Sequence, residues 1–524
     1  MLKNFQIKNI NIFYILAIVF LAFILRVMFL GSIPNGFFPD EASNAYDAYS
    51  ILHTLRDQYG EFLPWYFKSA NDYREGLYMY LMIPFIKIFG LNIFGARITS
   101  AIIGTLTIII LYYLAKEIFD QRVALLSALF LAISPWHIHF SRITFRAILF
   151  PLLFCLALFV FLQIFKNPKF LLLSSGIFAV SIYTFFSARV FIPLFMIGLI
   201  FIHISYLKQY KKITILSLLI FLILFIPQLI YQLSPEGMAR ANEVKLWSNF
   251  PNITGNYLSY FSPKFLFFQG DPNPRHTIEK MGELYTFEVV TLLVGLIGLI
   301  KHKIPHKKIL FLWLLLYPIP AALVSPGSAV RTLIGTPIFA MISAYGVAGL
   351  IDFFKEKQKN QLVIKGIIIL IIVASLTIFS NRYFFSYPKL KSDAWLPTFK
   401  DVILEAKASN YDCIVISDNI ESKYAYILVP FYTQMSPSEY HQFRVDVVTD
   451  KLDMGRWKII DFEPYNAGNL TRIEQQLHNN CLYILHYYRD RDALKNQRYS
   501  WEDLKIFPTL NNEQYYRLVK LIRN

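Results

Sequence analysis

Residues 74–119 read REGLYMYLMIPFIKIFGLNIFGARITSAIIGTLTIIILYYLAKEIF. Two apolar runs of different kinds sit in this stretch. The first, LYMYLMIPFIKIFG at 77–90, spans only about 21 Å as a helix, short of the roughly 30 Å hydrocarbon core of a bilayer. The second, 97–115, is long enough to cross and begins at Arg97. A segment lying along the membrane surface, followed by a true span, is the reading that fits both lengths.

The rest of the chain agrees with a membrane setting. Its 524 residues are 55% hydrophobic and 17% aromatic, and only 16% are charged. A soluble protein of that size could not hide so much apolar surface, which leaves a polytopic α-helical membrane protein. The net charge of +16 would suit a nucleic-acid binder. However, the Lys and Arg residues fall in short clusters between apolar runs, as in cytoplasmic membrane loops, and nucleic acid is excluded as a partner.

Candidate spans are 11–30, 97–115, 122–138, 147–165, 170–186, 189–206, 213–232, 285–300, 309–324, 332–351 and 364–381, about eleven in all. The connections LKQYKK (207–212), KHKIPHKK (301–308) and KEKQKN (355–360) are plainly basic and are placed on the cytoplasmic side. Loops 31–96 and 233–284, and everything after 381, are then external. The N-terminus resembles a signal peptide in outline, but its apolar run is too long and lacks a small-residue cleavage site, so it reads as an uncleaved first span.

Beyond 381 the pattern changes. The runs YDCIVISD and NCLYILHYY, with helix-like segments at 397–408 and 470–478, predict a small soluble α/β domain. The expected division is a membrane module at 1–384 and an external domain at 385–524. Cys155 lies in an apolar run. Cys413 and Cys481 each begin a strand-like run and are either two buried thiols or, if exported, a disulfide.

On this threading, ionisable residues gather at one membrane face. Arg26 ends the first span and precedes Asp40 and Glu41 in NGFFPDEASNAYD. Asp72, Arg74 and Glu75 follow. Arg97 starts a span; His137, His139, Arg142 and Arg146 fall in SPWHIHFSRITFR, and Arg189 begins another span. Asp271, Arg275, His276 and Glu283 lie in the second external loop, and Arg331 in SPGSAVRTL. Cations beside lipid are costly without an anion, and a lipid phosphate is the natural partner for arginine forks.

The motifs ILRVMFLG, PDE, the 74–119 stretch and SPWHIHFSR resemble the GT-C class of membrane glycosyltransferases, notably the protein O-mannosyltransferases and the lipid A aminoarabinose transferase. The resemblance covers residues 11 to about 200, with GDPNPRH and VRTL matching more loosely. It implies that Asp40 is the catalytic carboxylate, and that Arg26 and Arg97 lie near the active site. In the lipid A transferase a Lys-Pro-Pro motif occupies the place of 74–76. Here the positive charge survives in Arg74, but Glu75 and Gly76 replace the prolines.

The expected chemistry is transfer of a hexosyl or pentosyl group from a polyprenyl-phosphate donor to a hydroxyl on a protein, lipid or glycan, outside the plasma or inner membrane. Asp40, with Glu41 beside it, serves the acceptor. Arg74, Arg275, Arg331, Arg97 and Arg26 meet the donor phosphate. Asp72, His137, His139, Arg142 and His276 are assigned to substrate. No cofactor is expected, although Asp40 and Glu41 remain open as ligands of a divalent metal. A flippase of lipid-linked sugars would instead show polar residues at mid-membrane depth and matching halves. A surface-polysaccharide polymerase or ligase would use the same face.

Overall fold

The structure, a computed structural model, describes residues 2–69, 72–238, 252–278, 280–390, 392–417, 425–443, 453–460, 480–490, 499–509 and 513–523. The segment 470–478 and the side chain of Asp72 lie outside the described residues. The chain forms two compact units. One comprises Met1–Leu30, Glu75–Tyr78 and Arg97–Phe385; the other comprises Gly31–Arg74, Met79–Ala96 and Ser386–Asn524. These units divide near the C-terminus between Phe385 and Ser386, and most of residues 31–96 group with the C-terminal unit.

The first unit is helical, and every expected span overlaps a helix, although 309–324 is broken at its centre between Lys307–Leu316 and Ile319–Ala322. Among the described residues, six helices are long and apolar enough to cross a membrane: Ile93–Ile118, Arg146–Phe165, Phe186–Gln209, Lys211–Gln232, Gly335–Glu356 and Gln361–Leu390. Shorter apolar helices include Ile12–Val27, Gln121–Ile133 and Phe170–Ser181. The expected span at 122–138 ends early for a local reason. Pro135 has no N–H to continue the ladder, and the Ser134 hydroxyl accepts the His137 N–H at 3.3 Å to start a new helix, Pro135–Phe140. Helices Glu288–Lys301 and Gly335–Glu356 approach closely through glycines. A Cβ on Gly346 would lie 1.8 Å from the Thr291 carbonyl oxygen.

In the second unit, helix α2 (Pro39–Thr54) begins within the PDE motif, and its Ser43 hydroxyl donates to the Ser69 hydroxyl of β1 (Tyr66–Ser69) at 3.2 Å; β1 pairs with β2 (Asp72–Glu75). Helix α2 also meets the C-terminal residues. Tyr46 donates to the Met435 carbonyl at 3.0 Å, and the Phe37 and Phe431 rings stack at 4.6 Å. Aromatic residues of the loop are thus buried here, which accounts for its grouping with residues 386–524. Gly36 has φ +102°, and a Cβ there would meet the Trp395 carbonyl oxygen at 2.1 Å. Only glycine tolerates both conditions.

The C-terminal sheet has six strands, in the order Asp453–Met454, Trp457–Ile460, Cys413–Ser417, Cys481–His486, Gln514–Arg523 and Tyr499–Pro508 among the described residues. Its strands are β3 (Cys413–Ser417), β4 (Asp453–Met454), β5 (Trp457–Ile460), β6 (Cys481–His486), β7 (Tyr499–Pro508) and β8 (Gln514–Arg523). Central β3 is parallel to β5 and β6 and buried on both faces, as its continuous run CIVIS requires. Cys413 sits opposite Cys481 in the β3–β6 register, Cα to Cα 4.6 Å, and the two form a disulfide. Trp395 is 1% exposed and donates to the Tyr387 hydroxyl at 2.8 Å, so it packs the domain.

Candidate active site

The carboxylates of PDE separate into two roles. Pro39 fits the first turn of α2, where its missing N–H costs nothing. Glu41, three residues after Phe38, is fully buried, and its Oε2 accepts the Phe38 N–H at 3.2 Å. That contact secures the helix start, as the acidic half of a capping box does. Asp40 points differently: its side chain is 46% exposed, while Arg74, 9% exposed, donates Nη2 to its Oδ1 at 2.8 Å. Arg74 Nη1 reaches the Asn44 side-chain oxygen at 3.3 Å. One guanidinium therefore spans Asp40 and the residue one helical turn later, fixing the carboxylate's direction.

Behind Asp40 the same face of α2 continues into buried polar groups that sequence reasoning missed. The Asp47 carboxylate accepts the Gln58 backbone N–H and side-chain amide, each at 3.1 Å. Burial, then the nearby Asp57 charge, holds the Asp47 carboxyl well above the usual carboxylate range. The pattern D-x-x-S-N-x-x-D along α2 was the only signal available for this face, and it did not reveal that Gln58 would close it.

In the first unit, the cations divide into buried pins and half-exposed groups. Arg26, 0% exposed, donates to the carbonyls of Ala22 (2.9 Å), Ala132 (3.0 Å) and Leu131 (3.2 Å), and contacts His137 Nδ1 at 2.8 Å. With Nδ1 accepting, His137 is neutral. Arg142, also 0% exposed, donates to the Leu25 carbonyl at 2.9 Å and lies 5.3 Å and 5.0 Å from the Tyr383 and Phe384 ring centres. Arg97 is 0% exposed and donates to the Leu30 carbonyl at 3.4 Å. These contacts tie Arg26, Arg97, His137 and Arg142 to backbone and ring groups of distant helix ends. Sequence could not anticipate this, because the acceptors are backbone carbonyls of distant segments.

Arg275 and Arg331 are less enclosed, and one carboxylate organises both their segments. Asp271 Oδ2 contacts His276 Nδ1 at 3.0 Å and accepts the Ala329 N–H at 2.8 Å. Its Oδ1 accepts the Asn273 N–H at 2.8 Å. The GDPNPRH loop and the turn before Arg331 are thereby tied together. His139 Nε2 donates to the Arg275 carbonyl at 2.6 Å, adding the Pro135–Phe140 helix to the arrangement. Arg331 Nη1 lies 3.3 Å from the Ser328 hydroxyl. Glu283 accepts the Asp271 N–H at 3.0 Å, and burial, then Asp271, pushes its carboxyl well above the usual range. Glu75 pairs with Arg146 and Arg189, a grouping that the sequence did not single out. Among the described residues, no group of three His, Cys, Asp or Glu side chains gathers as metal ligands.

Comparison with known proteins bears on this geometry. A family model of dolichyl-phosphate-mannose-protein mannosyltransferase matches residues 77–231. ArnT from Cupriavidus metallidurans bound to undecaprenyl phosphate is similar, at 10% identity and TM-score 0.53, with 97% of each chain covered. Its apo structure gives 11% identity and TM-score 0.57, covering 98% of each chain. The oligosaccharyltransferase AglB from Archaeoglobus fulgidus, in complex with an inhibitory peptide and a dolichol-phosphate, gives 12% identity and TM-score 0.52. That alignment covers 82% of this chain and 64% of that one. No curated protein sequence matches. The chain is a multi-pass helical membrane protein that shares the fold of ArnT and AglB, in keeping with the resemblance read from its sequence.

Proposed function

We propose that the chain transfers a sugar from a polyprenyl-phosphate donor to a hydroxyl acceptor on the extracytoplasmic face of the membrane. The observation that carries this reading is the Asp40 carboxylate. It is half exposed, it is held by Arg74, and it occupies the position that the GT-C resemblance makes catalytic. Its neighbour Glu41 is turned inward and serves the helix instead.

In the proposed reaction the acceptor oxygen attacks the anomeric carbon and its proton passes to Asp40. The bond from that carbon to the phosphate oxygen breaks, and the electron pair leaves with the lipid monophosphate. A carboxylate is a weak base for an alcohol in the ground state, but the hydroxyl proton becomes acidic as the C–O bond forms, late in an oxocarbenium-like transition state. A single displacement inverts the sugar centre. Arg275 and Arg331, half exposed on segments fixed by Asp271, are the groups assigned to the departing phosphate, and Arg74 adds charge beside Asp40. Preorganised donors aimed at developing negative charge are the strongest lever available to such a site.

The disulfide Cys413–Cys481 supports an exported C-terminal domain, because such bonds persist in oxidising compartments. The test uses purified protein in vesicles with radiolabelled polyprenyl-phosphate sugars. Label appearing in an acceptor, with lipid phosphate released, is the expected result. Movement of intact donor between leaflets without bond cleavage would make the protein a transporter.

A further inference from the structure

Ser417 ends β3 and His486 ends β6, and these parallel strands are neighbours, with Ile416 opposite Ile484. Their carboxyl ends therefore lie side by side at one end of the sheet. From β3 the chain goes on to β4 and β5 on one side; from β6 it goes on to β7 and β8 on the other. In open α/β sheets, ligands bind in the crevice outside the carboxyl ends of the strands, at the point where the connections diverge in this way.

One buried carboxylate joins the two strand ends. Asp490 Oδ1 accepts the Ser417 hydroxyl at 2.8 Å, and its Oδ2 accepts the His486 backbone N–H at 2.6 Å; Ser417 and Asp490 are both fully buried. The turn after β6 folds back on the His486 ring, whose Nδ1 accepts the N–H groups of Tyr488 at 3.2 Å and Arg489 at 3.3 Å. With Nδ1 accepting, the neutral ring carries its proton on Nε2. Burial, then the Arg489 charge, pushes the imidazole down to about 4, which keeps it neutral near pH 7. Among the described residues Nε2–H has no acceptor, so a fixed, uncharged donor is left at the end of β6. Two residues on, Tyr488 is 58% exposed, and its ring stands edge-on to that of half-buried Tyr487, centres 5.1 Å apart.

We infer that His486 and Tyr488 form a carbohydrate-binding site at the adjoining carboxyl ends of β3 and β6, with Asp490 as the residue that positions both. A sugar suits these groups. Its hydroxyls accept from a neutral donor, and the C–H face of a pyranose packs on the negative face of an aromatic ring. An anion would instead meet an uncharged imidazole with the Asp490 carboxylate close behind it. The inference rests on the proposed function only in taking the bound glycan for the acceptor.

The test is saturation-transfer NMR on the full-length protein in a non-glycosidic detergent, titrated with mannotriose, maltotriose, cellotriose or triacetylchitotriose. Saturable binding of at least one trisaccharide is expected. Its affinity falls about tenfold in Tyr488→Ala and is retained in Tyr488→Phe, which keeps the ring face. It also falls about tenfold in His486→Asn, which keeps an acceptor at the Nδ1 position and drops the Nε2–H. No saturable binding of any of these probes, or wild-type affinity in both Tyr488→Ala and His486→Asn, would overturn the inference. Displacement of the sugar by inorganic phosphate, with the same variant sensitivity, would overturn it too, in favour of an anion site. Asp40→Asn is expected to bind the trisaccharide as wild type does while losing transfer, so the fate of this site and that of the proposed reaction are read separately.

Discussion

Arg74 donates to Asp40 at 2.8 Å and, with its other nitrogen, to Asn44 at 3.3 Å, so a single guanidinium sets the direction of the one half-exposed acid at the start of α2. Lysine carries the same charge but donates from a single nitrogen, without the rigid fork that spans Asp40 and Asn44. Arg74→Lys is therefore expected to lower kcat on the order of a hundredfold, the usual effect of losing one preorganised contact. A circular dichroism spectrum and melting temperature close to wild type would show that the loss is local. Wild-type turnover in Arg74→Lys would remove this arginine from the mechanism.

Arg26 answers to a different measurement. Its guanidinium is fully buried and holds three carbonyls and His137. Arg26→Gln leaves those acceptors partly unmet, at a cost of about 3 kcal/mol or more. The expected signature is a lower melting temperature with the donor KM unchanged in the folded fraction. A raised KM at normal stability would return Arg26 to the donor site.

The Cys413–Cys481 bond closes a separation of 68 residues. Loop-closure entropy makes such a link worth roughly 4 kcal/mol to its domain. Mass spectrometry of protein alkylated before and after reduction should show both cysteines protected until reductant is added, and Cys413→Ser should melt the C-terminal domain earlier. Alkylation of both thiols in the freshly isolated, unreduced protein would argue for a cytoplasmic domain.

His486 gives the C-terminal domain a pH dependence. Burial, then the charge of Arg489, pushes its imidazole down to about 4. Its Nδ1 accepts the Tyr488 and Arg489 N–H groups at 3.2 Å and 3.3 Å, contacts that the protonated ring cannot make. The unfolded ring takes its proton near pH 6.5, whereas the folded one resists until about 4. Stability is thus full above about pH 6.5 and declines as pH falls toward 4. Melting curves across that range should show a steeper decline for wild type than for His486→Gln; equal slopes would contradict the assignment.

The sequence made some of this legible and not the rest, for physical reasons. Apolar run length placed a helix at each expected span, and the 14-residue limit on 77–90 agrees with the short helix Leu77–Phe89. The strand runs CIVIS and CLYIL were readable because strands buried on both faces are continuously apolar. The ends of elements were harder. Ser134 and Pro135 stop a helix through capping and a missing N–H, which hydropathy does not register. Arginine roles were hardest of all. Arg26, Arg97 and Arg142 resemble Arg275 and Arg331 in sequence setting, and only the three-dimensional partners separate the buried cations from the half-exposed ones. Asp40 and Glu41 are adjacent and chemically similar, but helical geometry turns Glu41 back to Phe38 and leaves Asp40 facing Arg74.

The claim on which the account depends is that Asp40 takes the acceptor's proton. Asp40→Asn keeps the size and hydrogen-bonding of the side chain and removes its basicity. With radiolabelled polyprenyl-phosphate sugars from the native cells, wild type should transfer label. Asp40→Asn, folded and equally expressed, should fall by at least about a thousandfold, whereas Glu41→Gln should lose stability more than rate. Transfer by Asp40→Asn at the wild-type rate would contradict the account.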